Sequence, residues 1–421
     1  MNSKVLALIF VVLVLVAGGV FLFRGGAIWE VRPDENSVSS GSLKLTDLPS
    51  KEASKPDWVQ EEIQPKGGVG DIAIQSSLQN PPATVKAIYA TGWSAGSSLK
   101  LESLIKLIDE TELNALVVDV KDYSGFISYR FDYPLARESG AFGELRILKP
   151  NTLIKKLHDK GIYVIGRISV FQDPILALAH PEWAIKSSST GAIWKDRKGL
   201  SWMDPSSREV WAYDLAIAKD ALSRGFDEIN FDYIRFPSDG NLNDMRYPFW
   251  NEKTAMRDVI GTFFRYLRNN LKGVKISADL FGLVTVDETD LGIGQSLETA
   301  FPYFDYIAPM VYPSHYAAGS FGYKNPAAYP YEIVKYSLEK AQGRLLNYGN
   351  PVQLNSSTTT STVKIKMPEW PKFRPWLQDF DLGADYTAPM VRAQIRAVEE
   401  LSEGGWMLWD PKNNYTREAL N

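Results

Sequence analysis

The sequence predicts an α/β protein, a (β/α)8 TIM barrel preceded by an N-terminal transmembrane helix and a disordered linker. Three observations lead there. From residue 85 onward, short apolar runs alternate eight times with amphipathic stretches over roughly 330 residues, the pattern of repeated strand–helix units. The two longest interruptions, residues 171–205 and 312–328, each follow a strand, where barrels carry their functional loops. Ahead of this region lies one apolar run of membrane-spanning length. A doubly wound open sheet is the alternative reading of the same alternation.

The first element is residues 1–24, read as a transmembrane signal anchor. Residues 5–23 are uninterrupted apolar or Gly residues between Lys4 and Arg24. As a helix the run spans roughly 28 Å, close to the hydrocarbon thickness. It exceeds the apolar core of a cleaved signal, and no A-x-A-like site follows. The expectation is a single-pass cell-membrane protein with its bulk outside the cytoplasm, or a secreted one if the segment is cleaved. Residues 25–84 read as a flexible linker, rich in Ser, Pro, Lys, Glu and Gly without sustained periodicity.

Residues 85–421 read as the barrel. Strands are expected over 87–91, 115–121, 163–168, 228–232, 275–279, 306–310, 374–378 and 406–409. Helices are expected over 98–111, 151–160, 207–223, 252–271, 296–300, 331–340 and 388–402. Pro205-Ser206-Ser207-Arg208-Glu209 carries the signals of a capped helix start.

Composition narrows the chemistry. With 46 basic and 50 acidic residues there is no broad cationic footprint, so nucleic acid is not an expected partner. Cysteine is absent, which excludes disulfides, thiolate catalysis and Cys-ligated metal. The three histidines, His158, His180 and His315, have no ligand spacing, and no Gly-rich phosphate loop precedes a helix. No metal and no cofactor are therefore expected. Twelve Trp and twenty Tyr supply many aromatic faces suited to the apolar faces of sugar rings.

The fourth strand is the most informative. Glu228, Asn230 and Asp232 share one of its faces and Ile229 and Phe231 the other, so three polar groups point into one interior. That is costly unless they pair with each other or meet a polar ligand. Other strand ends add Thr91 and Trp93; Asp119, Lys121 and Asp122; Arg167; Asp279; Tyr312 and His315; Trp376, Gln378 and Asp379; and Trp409 and Asp410. Arg235, three residues beyond Asp232, is placed to hold that carboxylate through a planar fork. Carboxylates, cations and aromatics converging on one mouth suit the protonation and attack of a neutral, hydroxyl-rich substrate. Lys121 and Asp122 read equally well as an ion pair, Trp376 and Trp409 as core tryptophans, and Asp410 as a cap for the following turn.

Six segments, Asp119–Asp122, Gly225–Pro237, Ser277–Gly282, Pro309–Tyr316, Arg374–Phe380 and Gly405–Asp410, resemble in order the motifs of the putative glycoside hydrolase domain family, long filed as a domain of unknown function. The resemblance implies a TIM barrel distantly similar to the α-amylase-like clan. That clan has an Asp-x-x-Arg-x-Asp pattern at strand four; Asp227, Asn230 and Asp232 hold those offsets, with Asn in place of Arg. Asp232 would then be the nucleophile, and Asp279, where the clan has Glu, the acid. Arg167 and Gln378-Asp379 stand where the clan has histidines, which speaks against α-amylase activity. The combined reading is a hydrolase of an extracytoplasmic polysaccharide with Asp232 and Asp279 as its two carboxylates, in a site lined by Asp119, Lys121, Asp122, Arg167, Asn230, Arg235, Tyr312, His315, Trp376, Gln378, Trp409 and Asp410; a non-catalytic, glycan-gripping barrel of the cell envelope is the alternative.

Overall fold

The computed structural model describes residues 70–349 and 372–421. Eight parallel strands, β1 (Val85–Ala90), β2 (Ala115–Lys121), β3 (Tyr163–Ser169), β4 (Glu228–Asp232), β5 (Lys275–Phe281), β6 (Tyr306–Met310), β7 (Trp376–Gln378) and β8 (Gly405–Trp409), pair in the order β7-β8-β1-β2-β3-β4-β5-β6. Trp376 of β7 also pairs with Met310 of β6, so the sheet closes and the open-sheet alternative falls away. The main helices are α1 (Ser98–Asp109), α2 (Pro150–His158), α3 (Arg208–Ser223), α4 (Met256–Asn270), α5 (Leu297–Ala300), α6 (Pro330–Gly349) and α7 (Ala388–Glu399).

Strand alternation divides the interior in two. Outward residues such as Ile88, Val118, Ile168, Phe231, Leu280 and Leu408 pack against helical Leu104, Ile154, Ile217, Phe264 and Ile395. Each such fully buried side chain contributes roughly 1.5–3 kcal/mol, which makes this outer layer the main source of stability. Inward positions carry Tyr89, Asp119, Arg167, Asn230, Asp232, Asp279 and Trp376, all buried. The barrel axis is thus unusually polar.

Local chemistry moves some boundaries. Strand β7 is shorter than expected because Pro375 has no N–H for the ladder, and Lys372–Phe373 pairs with β6 as a separate piece. Helix α4 starts at Met256 rather than 252, because Asn251 Oδ1 accepts from the N–H groups of Lys253 and Thr254 (2.9 Å each) and holds a turn there. The Ser207 cap forms as expected, its Oγ accepting from Val210 N at 3.3 Å.

Residues 71–84, assigned to the linker by composition, run along the base of the barrel. Asp71 accepts from Asn151 N (2.8 Å), Thr152 N (3.0 Å) and Thr152 Oγ1 (2.6 Å), capping α2, whose own N-cap Lys149 makes no side-chain cap. Leu78 N donates to Asp227 Oδ1 at 2.6 Å. The segment docks through hydrogen bonds rather than apolar bulk, which is why hydrophobicity missed it. Among the described residues no helix is long and apolar enough to cross a membrane; the anchor expected over residues 5–23 lies outside them.

Candidate active site

The three polar residues of β4 occupy three levels. At the base Glu228 meets Arg374, whose Nη1 lies 2.9 Å from both carboxylate oxygens, and accepts from Tyr163 OH at 3.2 Å. This fully buried pair plugs the barrel. One level up, Asn230 Nδ2 donates to Ser277 Oγ (3.0 Å) and to Asp279 Oδ1 (2.7 Å). At the mouth Asp232 Oδ1 accepts from Tyr233 N at 2.6 Å, and its Oδ2 from Arg167 Nη2. Tyr233 adopts a left-handed φ of 53°, a strain of about 1–3 kcal/mol for a bulky residue, which carries the chain off the strand immediately after Asp232.

Arg167 is the hub. Its Nη1 donates to Asp119 Oδ1 at 2.7 Å, its Nη2 to Asp232, and its Nε lies 3.7 Å from Asp279 Oδ2. The guanidinium sits 5.1 Å from the Trp409 ring centre and 5.6 Å from that of Tyr89. Burial works against its charge, but Asp232 and Asp119 outweigh this and hold its pKa well above the ordinary value. One cation cannot neutralise three buried carboxyls, so protons remain in the cluster. Burial, then the Asp232 charge, push Asp279 well up, against Arg167, Asn230 and Trp376. Burial raises Asp119 to about 6 despite Arg167. Since Asp279 Oδ1 already accepts from Asn230 and from Trp376 Nε1 (2.8 Å), the proton of the acid form belongs on Oδ2.

Several residues expected to bind substrate make contacts within the protein. Arg235 does not orient Asp232: its Nη1 donates to Phe236 O (3.0 Å) and Ser238 Oγ (3.2 Å), and its guanidinium lies 4.7 Å from the Trp202 and 4.6 Å from the Phe281 ring centres. Arg167, one strand away, occupies that place, because the left-handed turn at Tyr233 carries the following residues off the strand's alternation. Lys121 points out of the barrel, its Nζ 2.8 Å from Asp173 and 2.7 Å from Asp214 of α3, all fully buried. A register shift between Asp119 and Lys121 breaks the alternation that would have aimed it inward. Asp122 pairs with Arg146 beside the mouth and accepts from Ser124 N at 2.9 Å.

Trp376 is no stacking platform: it is buried and serves Asp279 as a donor. Trp409, also buried, stacks on Tyr89 with ring centres 4.0 Å apart. Gln378 braces two loops, accepting from Ser314 N (3.2 Å) and donating to Phe380 O (2.9 Å). Asp410 caps its own turn through Lys412 N (2.8 Å) and Asn414 N (2.9 Å). His315 meets Ser314 Oγ at 3.0 Å, and burial lowers its pKa to about 4. Tyr312 lies near the carboxyl pair; burial, then the charges of Asp279 and Asp232, raise its hydroxyl well above 10. His158, at the base, contacts Asp227 at 3.0 Å.

Tyr89 was missed by reading only the last residues of strands: its hydroxyl donates to Asp119, and alternation from Ala87 along β1 would have found it. Tyr123, after β2, is 39% exposed, and Trp93, after β1, is 57% exposed with Arg146 over its ring at 5.4 Å. Around Asp232 and the level below it, Arg167 Nε, Ser169 Oγ, Asn230 Oδ1 and Trp409 Nε1 are buried without a hydrogen-bond partner among the described residues. Also among them, no three or more acidic or histidine side chains are arranged to hold a metal ion.

The profile of a family described as "putative glycosyl hydrolase domain" matches residues 87–415. A solved hypothetical protein from Ruminiclostridium thermocellum is 41% identical, over 46% of this chain and 96% of its own, with a TM-score of 0.42. The PgaB (BpsB) glycoside hydrolase domain from Bordetella bronchiseptica is 13% identical over 80% of this chain and 99% of its own, with a TM-score of 0.53, a likeness of fold. No curated protein matches the chain.

Proposed function

The chain belongs to the glycosyl hydrolase domain family just described, and from that premise we propose that it hydrolyses glycosidic bonds of a polysaccharide with Asp232 and Asp279 as the working pair. The observation carrying this reading is that two carboxyls on neighbouring strand ends reach one guanidinium in contrasting settings. Asp232 receives the N–H groups of Arg167 and Tyr233, interactions that suit its anionic form. Asp279 is buried and pushed toward its protonated form. Such a division assigns an acid and a base or nucleophile.

In this mechanism Asp279 Oδ2 delivers a proton to the glycosidic oxygen as the bond to the anomeric carbon breaks. Asp232 attacks or stabilises that carbon from the other side. Water then adds to the sugar, and the proton it loses returns to Asp279. The four orphaned polar atoms around the pair would find partners in sugar hydroxyls that enter the mouth, with Asp119 beside Arg167 and Tyr312 near both carboxyls. Support for an extracytoplasmic location is the apolar run 5–23, followed by a polar segment. One observation favours the glycan-gripping alternative: Asp279 is only 1% exposed and one of its oxygens already takes two hydrogen bonds.

The test is incubation with a panel of purified envelope and storage polysaccharides, with detection of new reducing ends. Release that disappears in both Asp232→Asn and Asp279→Asn supports the proposal. Full activity in either variant removes that residue from its role, and tight glycan binding without release on any polymer favours the gripping barrel.

A further inference from the structure

Outside the mouth, the loop after β6 and the first turns of α6 enclose a groove of ≈ 390 Å³ lined by Phe321, Tyr323, Tyr331, Lys335, Tyr336 and two glutamates, Glu332 and Glu339. Its aromatic content is high and its rings are held in place. Phe321 lies 4.4 Å from Tyr336 and 5.3 Å from Tyr316, whose hydroxyl is tied to Ser337 Oγ at 2.8 Å. Tyr323 lies 4.4 Å from Tyr329. Tyr329 is 43% and Tyr336 38% exposed. Phe321 itself takes a left-handed φ of 54° between Gly319 (89°) and Gly322 (86°). A large aromatic side chain adopts that conformation only where the surroundings enforce it, and such strain clusters at binding sites.

We propose that this groove is a second glycan-binding site, which holds a segment of a neutral, hydroxyl-rich polysaccharide away from the cleaved bond. Fixed aromatic faces cover the apolar faces of sugar rings, and carboxylates beside them accept from hydroxyls. The charges around the groove balance, Lys335 (2.8 Å from Glu400), Lys340 (5.4 Å from the Tyr336 ring centre) and Arg396 (4.5 Å from that of Tyr331) standing against Glu332, Glu339 and Glu400, so no net field selects a charged chain. The loop after β6 links the two regions along the chain, carrying Tyr312 near the carboxyl pair and Phe321 and Tyr323 in the groove. The inference rests on the polysaccharide reading above.

The test is native affinity electrophoresis of the full-length protein in gels containing dextran, soluble starch, hydroxyethyl cellulose, arabinoxylan or galactomannan, with alginate as the anionic comparison. The expected result is retardation in at least one neutral gel, weakened at least fivefold in Tyr336→Ala and in Tyr323→Ala, preserved in Tyr336→Phe and in Asp232→Asn. Unchanged thermal transitions establish that the variants fold. Retardation in no gel, only in alginate, or equal in the Ala variants overturns the proposal, as does a concentration-dependent doubling of mass that Tyr336→Ala abolishes, which would make the groove a contact between two copies. Failure of the hydrolase reading shows separately, as absent reducing-end release with retardation intact.

Discussion

Arg167 and Arg235 are both buried guanidiniums close to the strand-four acid, yet only Arg167 meets carboxylates. A lysine at 167 would be a point charge unable to bridge three carboxyls. Arg167→Lys is therefore expected to lower kcat by about 100-fold through misplaced carboxyls. Arg235→Lys should leave kcat nearly unchanged in steady-state assays of both variants; the reverse pattern would reinstate Arg235 as the orienting cation. Asp119 permits a test without substrate. Its carboxyl holds a proton up to about pH 6 when folded, against an ordinary 3.8. Between those values the folded state binds the extra proton, so this group's contribution to stability is full below about 4 and is lost as pH rises through 6. The loss is on the order of 3 kcal/mol. Thermal melts from pH 4 to 7 should show the wild type losing stability relative to Asp119→Asn; parallel curves would refute the shift. At this scale the sequence was legible wherever strict alternation held, as for Asp119, Arg167, Asn230, Asp232 and Asp279. It misled where one residue broke the register: the shift before Lys121 and the left-handed Tyr233 ahead of Arg235 are set by local backbone geometry, not by residue type.

Among elements, the strands and helices were readable because each buries one face, and the errors fall where polar contacts do the docking. Asp71 shows this, capping α2 from 80 and 81 residues away in the chain. Asp71→Ala is expected to cost about 1 kcal/mol, the usual loss of an N-cap. A chain starting at Gly70 should melt higher than one starting at Val85, which lacks the whole base segment; equal transitions by calorimetry would return residues 70–84 to the linker. Lys121 ties β2 to α3 and to the loop after β3 through Asp214 and Asp173. Lys121→Met leaves two buried carboxyls without their cation, a loss of about 3–5 kcal/mol, softened because burial already raises Asp214 to about 7. Denaturant melts should register that loss while the folded variant keeps its specific activity. A stable variant with weakened glycan affinity would restore Lys121 to the site.

The whole molecule places aromatic surface on opposite sides of a polar mouth. Trp93 and Tyr123 stand after β1 and β2, whereas the loop carrying Tyr312 and Phe321 follows β6, across the closed ring from them. The barrel itself was legible because eightfold alternation leaves few topologies. Which tryptophans remain open to a ligand was not, since Trp376 and Trp409 sit at strand ends as a platform would, yet turn into the barrel to serve Asp279 and Tyr89. A chain crossing from the β1–β2 rim toward β6 would pass the ends of β4 and β5, where Asp232 and Asp279 lie, and would touch more aromatic surface the longer it is. Catalytic efficiency should therefore rise with chain length rather than saturate at a disaccharide. Removing the Trp93 ring should cost about 0.5–1.5 kcal/mol of stacking, a two- to tenfold fall in kcat/KM. That fall should appear in KM on long chains and vanish on fragments too short to reach the rim. Kinetics of Trp93→Ala on a graded oligosaccharide series decide the matter: an equal effect at every length would place Trp93 beside the cleaved bond instead of at a distant subsite.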